Sequence, residues 1–585
     1  MKKKIIILLI ISVSCSLLSC KSFVNISGEI ENTNFQDKIL LHGDIKKFED
    51  GSLRYEHGVP VLRVSGSYYD MGLQYGVLLK DELGKAFKDF ENIYNKLIDS
   101  LPLYKRGLFI SGFINPIIKK TKNRLPQKYK DEIKGLSEGS GIPEKYLYLS
   151  AGGGGFLEFA CSVIIQRDEN RILHGRILDW YPAMGKSTVI VEYTPEHAKK
   201  YTTIGLLHYP TLGISGLGEN GISTSINLIS YIKNKKNNRN LPLYYMTREI
   251  LESADNINDV DKMLTGFKAD IGWLLGVTDG HNADGAIFEI GTDDINKIDL
   301  EKSTDCIWGI NGFKDNEMNK KYTSIFDKKA VINDPRRQRW TESVELENLG
   351  VDYLINILSD TSFEGYSQYY SEVSRGPINS SKNIQSIVFD NVNGVFYFAY
   401  GEGFAGLENF YKYDTKTSEM TLYREKIERP EKLENFRKLN ENALIDIIAG
   451  DYQSILDKID LDSELFPVEV EMLYNIWKDD NESIAPTLLL EQLDNQIKRY
   501  PDVCANYYMK AKILYKTSCN SDKLLITIEK ALVCRIVPAS RKIEMYKMLS
   551  EYYKNNGKDE KYEYYTQLCN DFIKSLNTNY KDNYK

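Results

Sequence analysis

The sequence predicts an α+β protein, with two β-sheets and helices outside them over residues 161–425, then a purely helical tail over 430–585. Three observations carry this reading. From Cys161 onward, SVIIQ, RILHGRIL, STVIVEYT, ISTSINLI, GWLLGVT and GAIFEIG are rich in β-branched residues, and ISTSINLI alternates apolar with polar positions, the period of a strand. Asn220-Gly221 and Asn393-Gly394 supply hairpin turns. Beyond about 430 the strand signals vanish, and Tyr507, Ala511, Leu514 and Tyr515, like Tyr565, Leu568, Cys569 and Phe572, fall on single helical faces.

Taken in order, the chain opens with Lys2, Lys3 and Lys4 before the apolar stretch Ile5 to Val13, which is shorter than a membrane span, and then SLLSC. Residues 1–19 resemble a bacterial lipoprotein signal with Cys20 as the acylated mature N-terminus; an ordinary secretory signal is the alternative, and both mean export. The expectation is a cell-envelope protein held on the membrane by an N-terminal lipid. Residues 20–57, with SGEIENTN and FEDGS, read as a polar tether. Residues 58–160 open on the strand-like PVLRVSG and continue as helices in DMGLQYGVLLKDELGKAF and LPQKYKDEIKGLSEG. Helical interruptions of the β region fall near LPLYYMTREILES and PRRQRWTESVELENLG. In the tail, KAKILYKTSCNSDKLLITIEKAL resembles a tetratricopeptide helix pair, so the tail is expected to be irregularly tetratricopeptide-like and a candidate for binding a protein partner.

The composition, 42% hydrophobic and 27% charged over 585 residues, is that of a globular protein with more than one domain. A formal charge of −7 gives no basic signal for nucleic acid. The eight cysteines (Cys15, Cys20, Cys161, Cys306, Cys504, Cys519, Cys534 and Cys569) form no C-x-x-C pair, so zinc and dithiol redox chemistry have no motif, and the four tail cysteines read as apolar filler. Gly216 to Gly221 matches G-x-G-x-x-G literally, but a strand follows it where a dinucleotide site needs a helix. GGGG at 152–155 lacks the GK[ST] of a phosphate loop and reads as a flexible connection before Cys161.

Cys161 is the residue with chemical promise. A nucleophilic cysteine needs a base, and none of the six histidines (His42, His57, His174, His197, His208, His281) has a papain-like setting; His174, near Arg176, is the one to test if the chain stays whole. The other source of a base is Cys161 itself. Were the Ala160–Cys161 bond cut, Cys161 would carry a free α-amine, with an ordinary pKa of about 8, joined to its own nucleophile.

CSVIIQRDENRILHGRILDW at 161–180 resembles the start of the mature subunit in the cysteine N-terminal-nucleophile hydrolases: choloylglycine hydrolase, the acid ceramidase and N-acylethanolamine acid amidase group, and the acyl-coenzyme A:6-aminopenicillanic acid acyltransferases. PVLRVSGSYYDMGLQYG, IWGINGF and SIVFDNVNGVFYFAYGEG resemble further blocks of the acyltransferase branch in the same order, covering roughly 58–425 but not the tail. The resemblance implies a four-layer αββα sandwich, self-cleavage between Ala160 and Cys161, and 58–160 as a helical pro-segment. It implies Cys161 as nucleophile, Arg176 beside the thiolate, Asp179 orienting the α-amine, and Asn227 and Asn311 near the oxyanion. No metal or organic cofactor is called for. The function implied is an amidohydrolase or acyltransferase working on linear C–N amide bonds of small N-acyl amides or peptides through a thioester, with export favouring hydrolysis.

The residues alone leave other readings open. Cys161 fits buried filler beside Val163, Ile164 and Ile165; Arg176 and Asp179 fit a structural ion pair; Asn227 and Asn311 fit turn residues. Arg336 and Arg337 fit either substrate approach or an exposed helical charge run. The rival function is a non-catalytic surface lipoprotein whose tail binds a partner.

Overall fold

The computed structural model describes residues 25–33, 35–99, 112, 114–153, 160–168, 171–229, 240–300, 305–322, 350–361, 378–431, 434, 452–461, 465–480, 482–518, 522–534, 537 and 539–578. In chain order, β1 (Leu40–His42), β2 (Ile45–Phe48), β3 (Gly51–Glu56) and β4 (Val59–Gly66) precede α1 (Tyr68–Leu78), α2 (Lys80–Asp99), α3 (Asn115–Arg124), α4 (Gln127–Ser140) and α5 (Glu144–Gly153). Next come the hairpin β5 (Ala160–Asp168) and β6 (Arg171–Asp179), then β7 (Thr188–Pro195), β8 (Tyr201–Leu206), β9 (Ser215–Gly218) and β10 (Ile222–Ile229). Helices α6 (Leu243–Ser253) and α7 (Ile257–Leu264) lead into β11 (Gly272–Asp279), β12 (Asp284–Ile290), β13 (Ile295–Asp299) and β14 (Cys306–Gly309). After α8 (Val351–Leu358) the β region closes with β15 (Asn383–Asp390), β16 (Val395–Tyr400), β17 (Phe410–Asp414) and β18 (Met420–Arg424).

Among the described residues, one sheet runs β1-β2-β3-β4-β7-β8-β9-β10-β11-β12-β13 and a second runs β14-β5-β6-β15-β16-β17-β18. They pack face to face through β10, β11 and β12 against β5, β6 and β14. Helices α1, α6 and α7 cover the outer face of the first sheet, and α8 lies outside β6 and β15 of the second. The layers are therefore helices, sheet, sheet, helix. Strands covered on both faces need apolar residues on both, and Leu62 and Val64 accordingly pack with Met71 and Leu73 of α1, while Val61 joins Ile387 and Phe389 between the sheets.

Residues 20–57 were expected as a tether. From residue 25 they are built into the fold instead: Ile26, Leu53 and Phe48 are buried, and β1 to β3 form an antiparallel edge to the first sheet. Their polar residues are turn and edge residues, for which a strand at a sheet margin has ample use, and these masked the few buried positions between them. The segment 58–160 is not only helical, since β4 pairs in parallel with β7 near the centre of the sheet, Val61 opposite Ile190. Helix α1 crosses α4 at glycines, and a Cβ at Gly72 or Gly135 would strike the facing backbone carbonyl of Glu132 or Tyr69.

The tail is helical from Pro467 to Thr578 among its described residues. It is joined to the β region by an apolar cluster that includes Phe404, Leu407, Ile455, Leu465 and Trp477. Cys504, Cys534 and Cys569 sit in its second apolar cluster, while Cys519 lies outside the described residues. No described helix is long and apolar enough to cross a membrane.

A buried ion pair ties 58–160 to 161–425. Arg248 of α6 donates to both carboxylate oxygens of Glu132 of α4, at 2.7 and 3.1 Å, and also to the Tyr201 hydroxyl at 2.9 Å, with Tyr129 and Tyr193 rings within 5 Å of its guanidinium. Arg248→Met is expected to destabilise the protein by about 3–5 kcal/mol, because Glu132 is then a buried charge without its counter-ion. Adding Glu132→Leu should recover most of that loss, and denaturant unfolding of the single and double variants checks both statements.

Candidate active site

The β5–β6 hairpin sets Cys161 opposite Leu178, Val163 opposite Arg176 and Ile165 opposite His174. Alternate residues of a strand share a face, so Cys161, Arg176 and His174 all point from the second sheet toward the first. His174 fixes that direction by bonding to Ser223 and Ser225 of β10 across the gap. Ser223, Ser225 and Asn227 in turn share the facing side of β10, and Asn227 continues their row past the guanidinium, whose Nη2 donates to the Ile226 carbonyl at 3.3 Å.

Arg176 is fully buried. Its Nη1 donates to the Ser215 hydroxyl and its Nη2 lies 3.9 Å from the Cys161 sulfur. Burial pushes the guanidinium below its ordinary value, and the attraction of Cys161 and Asp179 opposes this. A cation within reach of a thiol favours its thiolate. Asp179 ends β6 opposite Ala160, the residue before Cys161, and accepts a hydrogen bond from Ser380 at 3.1 Å. Asn311, two residues past β14, takes the Cys161 N–H on its Oδ1 at 2.9 Å and donates its Nδ2 to the Leu228 carbonyl at 2.7 Å. Asn227 is fully buried with neither side-chain amide atom hydrogen-bonded. Of the two asparagines expected near an oxyanion, Asn227 is thus the one with an uncommitted NH2, whereas Asn311 grips the nitrogen of Cys161.

The structure therefore brings together Cys161, Arg176, Asp179 and Asn311, with Asn227 on the facing strand. Of Ala160 the backbone is described, and it begins β5. Cys20, Arg336 and Arg337 lie outside the described residues, as do Gly154 and Gly155; Gly152 and Gly153 end α5. Gly216 to Gly221 belongs to the β9–β10 hairpin, with Gly221 at φ +74°, as its strand-like continuation implied. No group of three or more His, Cys, Asp or Glu side chains able to hold a metal ion occurs among the described residues.

Two contacts of the site were not anticipated. Ser215 was legible, since counting back across the Asn220-Gly221 turn puts it opposite Ser225. Ser380, 201 residues from Asp179 on a turn before β15, carried no local signal.

His174 is held by both ring nitrogens, 2.9 Å from Ser223 Oγ and 2.8 Å from Ser225 Oγ. It stands four residues along the ladder from Cys161, about 13 Å at strand spacing, so it is not the base of a thiol–imidazole pair.

No family model matches this chain. It is 22% identical over 272 residues to an uncharacterised protein of Archaeoglobus fulgidus, covering 40% of this chain and 44% of that one. It is 23% identical over 264 residues to the protein dcd1B of Dictyostelium discoideum, covering 42% and 52%. The chain spans about half the length of these curated relatives. Among solved structures it is similar to an N-acylethanolamine-hydrolyzing acid amidase ortholog of Caenorhabditis elegans (14% identity, 40% of this chain and 93% of that one, TM-score 0.28). It is also similar to the conjugated bile acid hydrolase of Clostridium perfringens (12%, 46% and 99%, 0.31) and the penicillin V acylase of Agrobacterium tumefaciens (12%, 44% and 86%, 0.27).

Burial pushes the His174 imidazole down to about 3, with Arg176 adding to the effect, and that of His208 to about 4. The unfolded chain takes up these protons near pH 6.5 while the folded chain refuses them, so their contribution to stability is complete above about 6.5 and is lost as pH falls toward 4 and 3. Denaturant unfolding at pH 7.5, 5.5 and 4.5 is expected to show declining stability, and His174→Gln should make that decline shallower even where it lowers stability at pH 7.5.

Proposed function

We propose that this chain is a self-processing cysteine amidase of the N-terminal-nucleophile kind, transferring the acyl group of a small linear N-acyl amide to water through a thioester on Cys161. The observation that carries the reading is the double hold on one residue: Asn311 grips the backbone nitrogen of Cys161 while Arg176 faces its sulfur. A structural cysteine needs neither.

In the processing step, Cys161 Sγ adds to the Ala160 carbonyl carbon, the Ala160–Cys161 C–N bond breaks, and the thiol proton ends on the released nitrogen. Water then splits the Ala160 thioester, leaving a carboxylate on Ala160, a free thiol and a free α-amine. In turnover, that amine takes the thiol proton, sulfur attacks the substrate carbonyl, and the resulting ammonium protonates the departing amine. Water resolves the acyl thioester to a carboxylic acid with the amine again as base. Arg176 stabilises the thiolate, Asp179 and Asn311 orient the α-amine, and Asn227 offers its unused NH2 to the oxyanion.

Export as a lipoprotein acylated on Cys20, and a partner for the helical tail, belong to the same proposal; radiolabelled palmitate incorporation that persists in Cys20→Ala would remove the anchor from it.

On a denaturing gel the wild-type protein is expected as two fragments with the new N-terminus at Cys161, and Cys161→Ala as one chain without amidase activity. Asn227→Ala should lower kcat about 10²–10³-fold, the range for loss of one oxyanion donor. An intact wild-type chain that is inactive on a panel of N-acyl amides overturns the reading.

A further inference from the structure

We propose that Glu289, on the first sheet and outside the constellation above, is a positioning residue for Cys161 that acts through Asn311. The proposal rests on the reading of Cys161 and Asn311 as working parts of the site.

Glu289 lies on β12 with its side chain fully buried. What holds its carboxylate is a set of N–H donors: the backbone N–H of Lys314 on Oε1, and the backbone N–H of Asp315 and the side-chain amide of Asn296 on Oε2, each of the latter two at 3.0 Å. The Lys314 ammonium sits 3.8 Å from the centroid of the Trp308 ring. Burial raises the carboxyl above its ordinary value, and the Lys314 N–H, the Asn296 amide and the Asp315 N–H pull it back in part. A buried carboxylate left without donors is strongly disfavoured, so the 314–315 backbone is fastened to β12 with the strength of charge-assisted bonds.

Asn311 lies inside the span so fastened. Upstream, β14 is paired to β5, with Gly309 opposite Val163. Downstream, Glu289 takes two consecutive N–H groups. Between these points the chain turns through Gly312, whose N–H donates to the Ile310 carbonyl at 2.9 Å, and the Asn311 side chain reaches from Cys161 N to Leu228 O. The four residues 310–313, anchored at both ends, leave Asn311 little freedom; releasing the downstream end lets its amide swing away from the nitrogen that becomes the α-amine. Nothing in GAIFEIG distinguishes this acid from a strand residue facing solvent.

The test reads the hydrogen bond directly. In a Cys161→Ala background, which keeps the chain in one piece, hydrogen–deuterium exchange is followed at residue 161 and over 311–315. Adding Glu289→Gln, which keeps the shape but turns an NH2 toward the donors, is expected to speed exchange at least tenfold at both places and not in β6 or β15. Glu289→Asp should give an intermediate effect. Faster exchange at 311–315 with residue 161 unchanged overturns the proposal, as does no change, or a rise spread over the whole second sheet. With Cys161 present, Glu289→Gln should slow self-cleavage about tenfold when Asn311 is intact and less than twofold in Asn311→Ala; additive effects overturn action through Asn311. A wild-type chain that neither self-cleaves nor hydrolyses amides would sink the function proposed above, and the exchange measurement would still decide the role of Glu289.

Discussion

The candidate site is organised around one buried positive charge, that of Arg176. A guanidinium cannot shed its proton in a protein interior, so placing Arg176 between two sheets obliges the surroundings to satisfy it. They meet its two Nη atoms with the Ser215 hydroxyl, the Ile226 carbonyl and the Cys161 sulfur, and its charge with the field of Asp179, while the buried Nε has no hydrogen-bond partner. Beside it, the face of β10 turned toward the second sheet is Ser223, Ser225 and Asn227, where the interior of a β-sandwich is ordinarily apolar, and the two serines are taken up by His174. The same gap also holds apolar residues: Val163, directly opposite Arg176, and Ile165, opposite His174, pack against Leu274 and Ile287. The polar strip thus runs along one face of β10, with apolar neighbours on the strands beside it.

The strip also accounts for what the sequence made legible. ISTSINLI advertises a strand with one apolar and one polar face, and both faces prove buried: Ile226 and Leu228 meet α6, while the serines meet His174 and Asn227 lines the same gap. Periodicity could reveal two faces but not that the polar one was interior. Cys161, Arg176 and Asp179 were readable because a single hairpin carries all three: strand register sets Cys161 and Arg176 on one face and puts Asp179 opposite Ala160 at the strand end. Ser380 and Glu289 were not, because their contacts join residues 201 and 25 or 26 positions apart through tertiary packing. The edge strands β1 to β3 were hidden for a different reason: at a sheet margin polar turns outnumber buried side chains, and composition resembles a tether.

The packing of β1 to β4, α1 and α4 into and over the first sheet bears on any break before Cys161. β4 is a parallel neighbour of β7, α1 covers it, α4 closes over α1 through facing glycines, and Glu132 is locked to Arg248. None of these contacts uses the bond between Ala160 and Cys161. Cutting it would remove a connection between the two sheets without removing a strand from either, so the geometry that holds Cys161 is compatible with both the joined and the separated chain.

The histidines sharpen the question of where a proton acceptor for Cys161 can come from. His174 has both nitrogens engaged by serines and His208 bonds Ser187, and in each case burial lowers the imidazole far below neutrality. An imidazole with a pKa near 3 or 4 is a poor base for a thiol at neutral pH, whatever its distance. Arg176 supplies a field but accepts no proton. The backbone nitrogen of Cys161 is already positioned by Asn311, and as an amide it too accepts no proton; only breaking its peptide bond turns it into an amine whose ordinary pKa of about 8 suits the task. The same hydrogen bond that orders the uncut chain would then direct the lone pair of the new terminus, and under the proposed function a site with a thiol, an arginine and no available imidazole would gain its proton acceptor only by cutting itself.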